Sequence, residues 1–290
     1  MAVRSFACVA SVVVLAAAVA TAAPPVPPAP ADEVAAIVKE FDLPPVNPVA
    51  DPPRPGVGGG AGDLAAVVPK PPRLDRLRYA PPDLAPYAAD VSPAEIVKPE
   101  NRETYPLRIA VLDAFRTIRE TWGGAGARGL RTEFAGPNTD AVKRQILDEQ
   151  EFPARATAEL ELALMGLEKA ADRRAKETKR WRAHYDYALA QCHTRLVFLN
   201  EYNLALASLR TGNLPEPDAR KGENALRLVP SAELRGRSDA KALAKRAAKL
   251  YEQILADHPG TPWAAAAARD QELVLGLRWV PFAAKVGKAD

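Results

Sequence analysis

The chain has 290 residues, 39 of them basic and 36 acidic, for a formal net charge of +3. That balance lacks the strongly basic footprint of a nucleic-acid binder, so no nucleic-acid partner is expected. Two cysteines in the whole chain exclude a disulfide scaffold, so the fold has to rest on an apolar core.

Residues 1–22 have the pattern of an export signal. Arg4 supplies a positive charge, Phe6–Ala20 is an unbroken run of apolar or small residues, and Ala20-Thr21-Ala22 suits signal peptidase. The run is shorter than the roughly twenty residues of a membrane span. The expectation is an exported protein, periplasmic or extracellular, with an uncleaved N-terminal anchor as the alternative. Cys8 lies too early in the run for a lipoprotein site. Cleavage leaves Cys192 as the one remaining cysteine, without an intramolecular partner.

Residues 23–100 read as a disordered, proline-rich arm. Nineteen of the 28 prolines fall in it, which argues against helices and favours extended polyproline-like backbone. Gly58-Gly59-Gly60 reads as a flexible joint. The first 100 residues carry 8 basic and 11 acidic side chains, so the basic excess belongs to the remainder. Within the arm, Val34, Ile37, Val38 and Phe41 recur at helical spacing, between Asp32-Glu33 and the stop at Pro44-Pro45. Val34, Ile37 and Phe41 are therefore candidate partner-binding residues on a short docking helix, the alternative being a transient turn of helix in a tail. Leu74–Tyr79 is a second candidate, as the point where the arm first touches the body.

Residues 101–237 read as a helical body. A first helix runs over 106–122, with Thr104 as N-cap and a stripe of Leu107, Val111, Phe115, Ile118 and Trp122. The glycine-rich loop that follows lacks the strand before it and the Lys-Ser/Thr after it that a phosphate-cradling loop needs. A second helix starts at Asn138 or Thr139 and reaches Gln150, and Pro153 kinks or restarts it. A third, 154–174, carries Leu160, Leu164, Leu167 and Ala171, with Glu159, Glu161 and Glu168 on a solvated face. The fourth and longest, 179–210, has a near-heptad stripe of Tyr185, Leu189, Cys192, Leu196, Leu199, Leu206 and Leu209, broken at Asn203. It folds back on the third as a long antiparallel hairpin, or its stripe makes a homodimer.

The hairpin tip is basic. Arg173, Arg174, Lys176, Lys179, Arg180 and Arg182 cluster there with Trp181 and Tyr185. Arg173, Arg174, Arg180 and Trp181 are candidate contacts for an anionic lipid or glycan, against a plain solvated tip. Residues 212–237 read as a polar loop. A fifth helix spans 239–257, and a sixth starts at Thr261-Pro262 and is closed by Gly276. The tail then lays Trp279 and Phe282 into a groove.

Ala247-x-x-x-Tyr251-x-x-Ile254-x-x-x-x-Pro259 has the spacing of the second helix of a tetratricopeptide repeat. Asp257-His-Pro-Gly-Thr-Pro-Trp-Ala264 looks like the joint between such repeats in exported bacterial proteins. The resemblance covers about 35 residues, roughly one repeat, and its first helix is degraded at Arg235 and Ser238. It implies a helical scaffold that binds partner proteins or peptides. The whole chain also resembles exported bacterial proteins with a proline-rich head, which imports no activity.

The fold class expected is all-α: a helical bundle or hairpin body, a tetratricopeptide-like C-terminal hairpin over 238–290, and a disordered arm. No Gly-x-Ser-x-Gly, His-Glu-x-x-His or Cys-x-x-Cys occurs, and His184, His193 and His258 are the whole supply of imidazole. No cofactor, metal or catalytic residue is assigned. The expected function is a non-catalytic exported scaffold or protein-binding module of the cell envelope, with an envelope protein as partner. The alternatives are an exported helical enzyme and an anionic lipid- or glycan-associating surface protein.

Overall fold

The computed structural model describes residues 29–46, 73–123, 130–135, 139–208 and 214–284. The export signal, the Gly58–Gly60 joint, most of the glycine-rich loop after Gly123, and Leu209 lie outside the described residues. The fold is mainly helical, with one small sheet. In chain order the helices are α1 (Ala31–Phe41), α2 (Pro81–Leu84), α3 (Pro93–Ile96), α4 (Pro106–Gly123), α5 (Thr139–Glu149), α6 (Glu151–Lys169), α7 (Lys179–Ser208), α8 (Ser238–Asp257) and α9 (Pro262–Gln271). The strands are β1 (Glu133–Ala135), β2 (Ala225–Ser231) and β3 (Gly276–Phe282).

Helix α7 is the axis of the fold. Its first two thirds carry buried residues on every side, from Arg180 and Trp181 to Leu199. Helices α4, α6, α8 and α9 and strand β3 all pack on it. A helix covered this fully has no single apolar stripe, because all its faces are core. The expected α6–α7 hairpin is present. Of the two fates read for the α7 stripe, packing within the chain is the one seen: Tyr185, Cys192, Leu196, Leu199 and Leu206 are buried.

The largest correction concerns the arm. Residues 29–46 and 73–100 are ordered parts of the body. Val34, Ile37, Val38 and Phe41 are all buried, with Phe41 fully so. Phe41 stacks on Trp263 with ring centroids 5.3 Å apart and meets Tyr187 edge-on. Each such side chain contributes roughly 1.5–3 kcal/mol by leaving water. The end of α1 is held by the body. The Arg119 guanidinium donates to the Glu40 carbonyl at 2.6 Å, Trp122 Nε1 donates to the Val46 carbonyl at 3.1 Å, and the Arg195 guanidinium donates to the Pro44 carbonyl. The Glu40 carbonyl is one that the end of α1 leaves without a helical partner, and the Pro44 and Val46 carbonyls belong to the extended segment that follows it. Val34, Ile37 and Phe41 are thus core residues, and the proposed docking helix docks on its own chain. Leu74 and Tyr79 are buried beside it, and the Ala29 amide donates to the Tyr79 carbonyl at 2.8 Å.

The proline signal misled because it measures backbone restriction and not burial. Prolines at the first turns of α2 and α3 start helices rather than preventing them. Leu84, Tyr87 and Ile96 then anchor that stretch in the core.

The second correction is the sheet. The strands run in the order β1-β2-β3, antiparallel throughout. Phe134 faces Leu226, and Leu228 faces Trp279. Strand β2 lies inside the span read as a polar loop, and β3 in the span read as a tail. Trp279 is buried as expected, edge-on to Phe134, and its Nε1 donates to the Ala205 carbonyl at 2.9 Å. Phe282 is only half-buried and lies under the Arg227 guanidinium. Gly276 opens β3, where a Cβ would fall 2.1 Å from the Glu233 carbonyl oxygen. The strand needs that close approach, so this glycine starts the sheet; α9 has already ended at Gln271.

Helices α8 and α9 form a hairpin, with Thr261 capping α9 by accepting from the Ala264 amide. Ala247, Tyr251 and Ile254 are buried. Helix α8 packs chiefly along α7, from which β2 separates it in sequence.

Candidate functional site: the hairpin tip and its cleft

The tip of the α6–α7 hairpin meets α1, the Tyr87 turn and the C-terminal end of α8. Of its six basic side chains Arg180 is buried, Arg174 and Arg182 are half-buried, and Arg173, Lys176 and Lys179 are exposed. Arg180 pairs with Glu40 at 2.6 Å and donates to the Tyr87 carbonyl at 2.9 Å. Trp181 is buried beside Arg108, whose guanidinium lies 5.2 Å from its ring centre and pairs with Asp90 and Glu177. Arg174 donates to Asp186 at 2.7 Å through Nε and reaches Asp257 at 3.3 Å. The Asp186 hydrogen bond raises the Arg174 pKa above its usual value. Arg173 alone of the four expected contacts stays exposed, paired with Asp172 at 3.2 Å. The expected anionic-surface patch of Arg173, Arg174, Arg180 and Trp181 is therefore not assembled: Arg180 and Trp181 are buried in the body and Arg174 is tied to two carboxylates.

Glu40 also faces His184, whose Nε2 lies 3.0 Å from its carboxylate. Trp263 Nε1 donates to His184 Nδ1 at 3.2 Å. An indole nitrogen only donates, so Nδ1 is the acceptor and Nε2 carries the proton toward Glu40. Burial opposes ionisation of Glu40, but the His184 and Arg180 hydrogen bonds outweigh it and hold its carboxyl below the usual range. Burial pushes His184 down despite the Glu40 charge, so the imidazole is neutral. Trp, His and Glu here clamp α9, α7 and α1 together.

A second buried network crosses α7, α8 and α9. Tyr187 donates to Asp270 at 2.7 Å, Gln191 donates to the Tyr251 hydroxyl at 3.0 Å, and Arg269 pairs with Asp270 at 2.7 Å. Burial raises Tyr187 well above its usual value and also pushes the Cys192 thiol up to about 12. Cys192 is fully buried, so neither a reactive thiolate nor a disulfide to another chain is available to the folded protein. His193 faces away from His184 and is pushed down to about 4 by burial and by Arg246.

One cleft remains at the tip. It has a volume of about 170 Å³ and is lined by Arg174, Lys179, Arg182, Asp257 and His258. His258 is buried, with Nδ1 2.8 Å from the Tyr87 hydroxyl. Its Nε2 has no hydrogen-bond partner, the Asp186 carboxylate being 3.7 Å away. Arg182 Nε is likewise buried without a partner. The sequence placed Lys179 and Arg182 at the tip but left His258 in the joint after the fifth helix. Nothing local in sequence links His258 to Arg182, because 76 residues separate them.

Among the described residues, no group of three or more His, Cys, Asp or Glu side chains is arranged to hold a metal ion. No helix among them is long and apolar enough to cross a membrane. No family model matches the chain, and it has no match among curated proteins or solved structures.

Proposed function

We propose that the protein is an exported, non-catalytic binding module that docks a partner protein on the outer face of α6. The observation that carries this reading is the exposure of two large apolar side chains one turn apart, Leu162 at 70 % and Met165 at 63 %. Ala154, Ala158 and Gly166 lie on the same exposed face. Small residues let a second backbone come close, and Leu and Met supply the apolar contact. At helical spacing, Glu159 edges this face on one side and Glu161 and Glu168 on the other. The partner that fits is a helix with an apolar stripe; the charges around Leu162 are mixed, with Arg155 and Lys169 one heptad to either side of it and Glu159 paired with Arg155 at 3.9 Å.

Two further points support the reading. The groups that would run acid-base or nucleophilic chemistry, His184, Cys192, Tyr187 and Asp270, are committed to holding helices together. The pattern of residues 1–22 supplies the export. The tetratricopeptide-like reading of 238–290 is proposed on the burial of Ala247, Tyr251 and Ile254 alone.

The test is Leu162→benzoylphenylalanine photocrosslinking in intact cells, with Arg220→benzoylphenylalanine as the exposed control. The reading predicts one discrete protein adduct at position 162, absent at 220 and lost when Met165→Glu is added. The same adducts at both positions, none at either, or an adduct indifferent to Met165→Glu contradicts it. A second reading, association with an anionic group through the tip, is favoured by the cleft beside His258.

A further inference from the structure

We propose that the tip cleft is a binding site for a single phosphate group, either free or carried on a lipid headgroup. This inference narrows the second reading above and does not depend on the Leu162–Met165 face.

Three observations converge on an oxyanion. First, the charge in the cleft is unbalanced. Arg174 is held by Asp186 and Asp257, whereas Lys179 and Arg182 enter no salt bridge among the described residues. Three cations, Arg174, Lys179 and Arg182, thus stand against two carboxylates, Asp186 and Asp257, both of which pair with Arg174, so one net positive charge remains and Lys179 and Arg182 have no carboxylate of their own. Second, two buried nitrogens there lack hydrogen-bond partners. Nε2 of His258, a side chain 97 % buried (3 % exposed), is one, and Nε of Arg182 is the other. A buried polar atom without a partner is costly, and a ligand oxygen would relieve both. When the Tyr87 hydroxyl donates to Nδ1 of His258, Nε2 carries the proton and is a donor. Third, Lys179 opens the thirty-residue helix α7, whose first amides and dipole favour negative charge at that end.

The donors come from different elements, the first turn of α7 and the cap of α8, and approach from different sides. That suits a tetrahedral anion better than a planar carboxylate. The volume of about 170 Å³ is several times the roughly 30 Å³ share of one water, so one phosphate with a few waters fits and a large ligand does not. Guanidinium, ammonium and imidazole donors to a phosphate oxygen make charge-assisted bonds, the strong class of hydrogen bond.

The test is an NMR titration of the full mature chain with inorganic phosphate, following the His258 ring signals at constant ionic strength. The proposal predicts saturable movement of those signals, with affinity lowered about tenfold or more in Arg182→Gln and again in Lys179→Met. Both substitutions are at partly or fully exposed positions outside the salt-bridge network, and far-ultraviolet circular dichroism verifies that each variant is folded. A parallel arm measures sedimentation with phosphatidylcholine vesicles with and without phosphatidic acid. Vesicle binding that requires phosphatidic acid and is weakened by Arg182→Gln assigns the phosphate to a lipid headgroup. Phosphate binding without vesicle binding assigns it to a free phosphate. No saturable movement at tens of millimolar phosphate together with no vesicle binding overturns the proposal. Binding in either arm that is indifferent to both substitutions also overturns it.

Discussion

His184 on α7 and Glu40 on α1 meet across 144 residues of chain, with Nε2 3.0 Å from the carboxylate. The same carboxylate holds Arg180 at 2.6 Å, and the other imidazole nitrogen accepts from Trp263. One acidic residue from a segment rich in neighbouring prolines therefore fixes the start of the longest helix. It also accounts for why the hairpin tip is less basic at its surface than its sequence suggests.

Glu40→Gln removes the charge from this junction while keeping its shape. Arg180 is then a buried cation without its carboxylate, although the Glu40 side chain retains some contact with solvent. The expected loss is about 2 kcal/mol of stability. A urea titration reads it as a lower midpoint at unchanged slope. An unchanged midpoint would show that the Glu40 pairing contributes nothing net.

Acid should unfold the protein in two stages. His184 is held below its usual pKa by burial, and His193 is held at about 4 by burial and Arg246. An unfolded histidine titrates near pH 6.5. Below that value the unfolded chain binds protons that the folded chain does not. The stability due to both groups is thus fully present above about pH 6.5 and is lost as pH falls below it, for His193 toward about 4. Glu40 has a lowered folded pKa, so its share is present above about 4.5 and is lost as pH falls further. His193→Gln should flatten the upper stage by on the order of 2 kcal/mol. Urea midpoints measured from pH 7.5 down to 4, on a grid of about half a unit, check the sign. A midpoint that rises on acidification contradicts it.

Cys192 should be silent in the native state. It is fully buried and its thiol is pushed up to about 12 by burial, against the opposing Arg195 charge. A disulfide exchange reagent should label it only at denaturant concentrations that unfold the chain. Labelling within seconds under native conditions would mean that α7 opens locally.

Two glycines should respond oppositely to alanine. At Gly276 a Cβ would fall 2.1 Å from one backbone oxygen and 2.4 Å from another, so Gly276→Ala should cost about 2–3 kcal/mol as β3 is displaced. At Gly166, inside α6, a Cβ meets nothing within 4 Å, so Gly166→Ala should stabilise by about 0.5–1 kcal/mol. Thermal midpoints of the two variants should move in opposite directions.

Helix positions were legible because capping and stripe signals are local. Thr261-Pro262, Pro106 and the Leu160–Leu167 spacing each mark their element without help from the rest of the chain. The strands were legible only in part. Leu226-Arg227-Leu228 and Leu277-Arg278-Trp279 alternate as strands do, but Pro230 and Pro281 within them and the short runs masked the pattern. The fate of the α1 stripe was not legible. Val34, Ile37 and Phe41 form the same stripe whether it meets another protein or Trp263. The tip was misread for the same reason, since a cation's partner at Glu40 or Asp257 is a matter of long-range contact. The cleft needed the fold outright, as His258 and Arg182 come together only when α8 ends beside the start of α7.

The central claim is that residues 29–46 belong to the folded body, so that Val34, Ile37 and Phe41 are core side chains rather than a docking surface. Amide hydrogen exchange on the intact chain tests it most directly. The Asp42 amide donates to the Val38 carbonyl at 2.7 Å, and its helix lies under Trp263. The account predicts that the amides of Val38, Phe41 and Asp42 are protected together with those of the α7 centre around Ala190 and Thr194. Exchange of the α1 amides at the rate of an unstructured peptide, with α7 still protected, would contradict it and return the segment to a free arm.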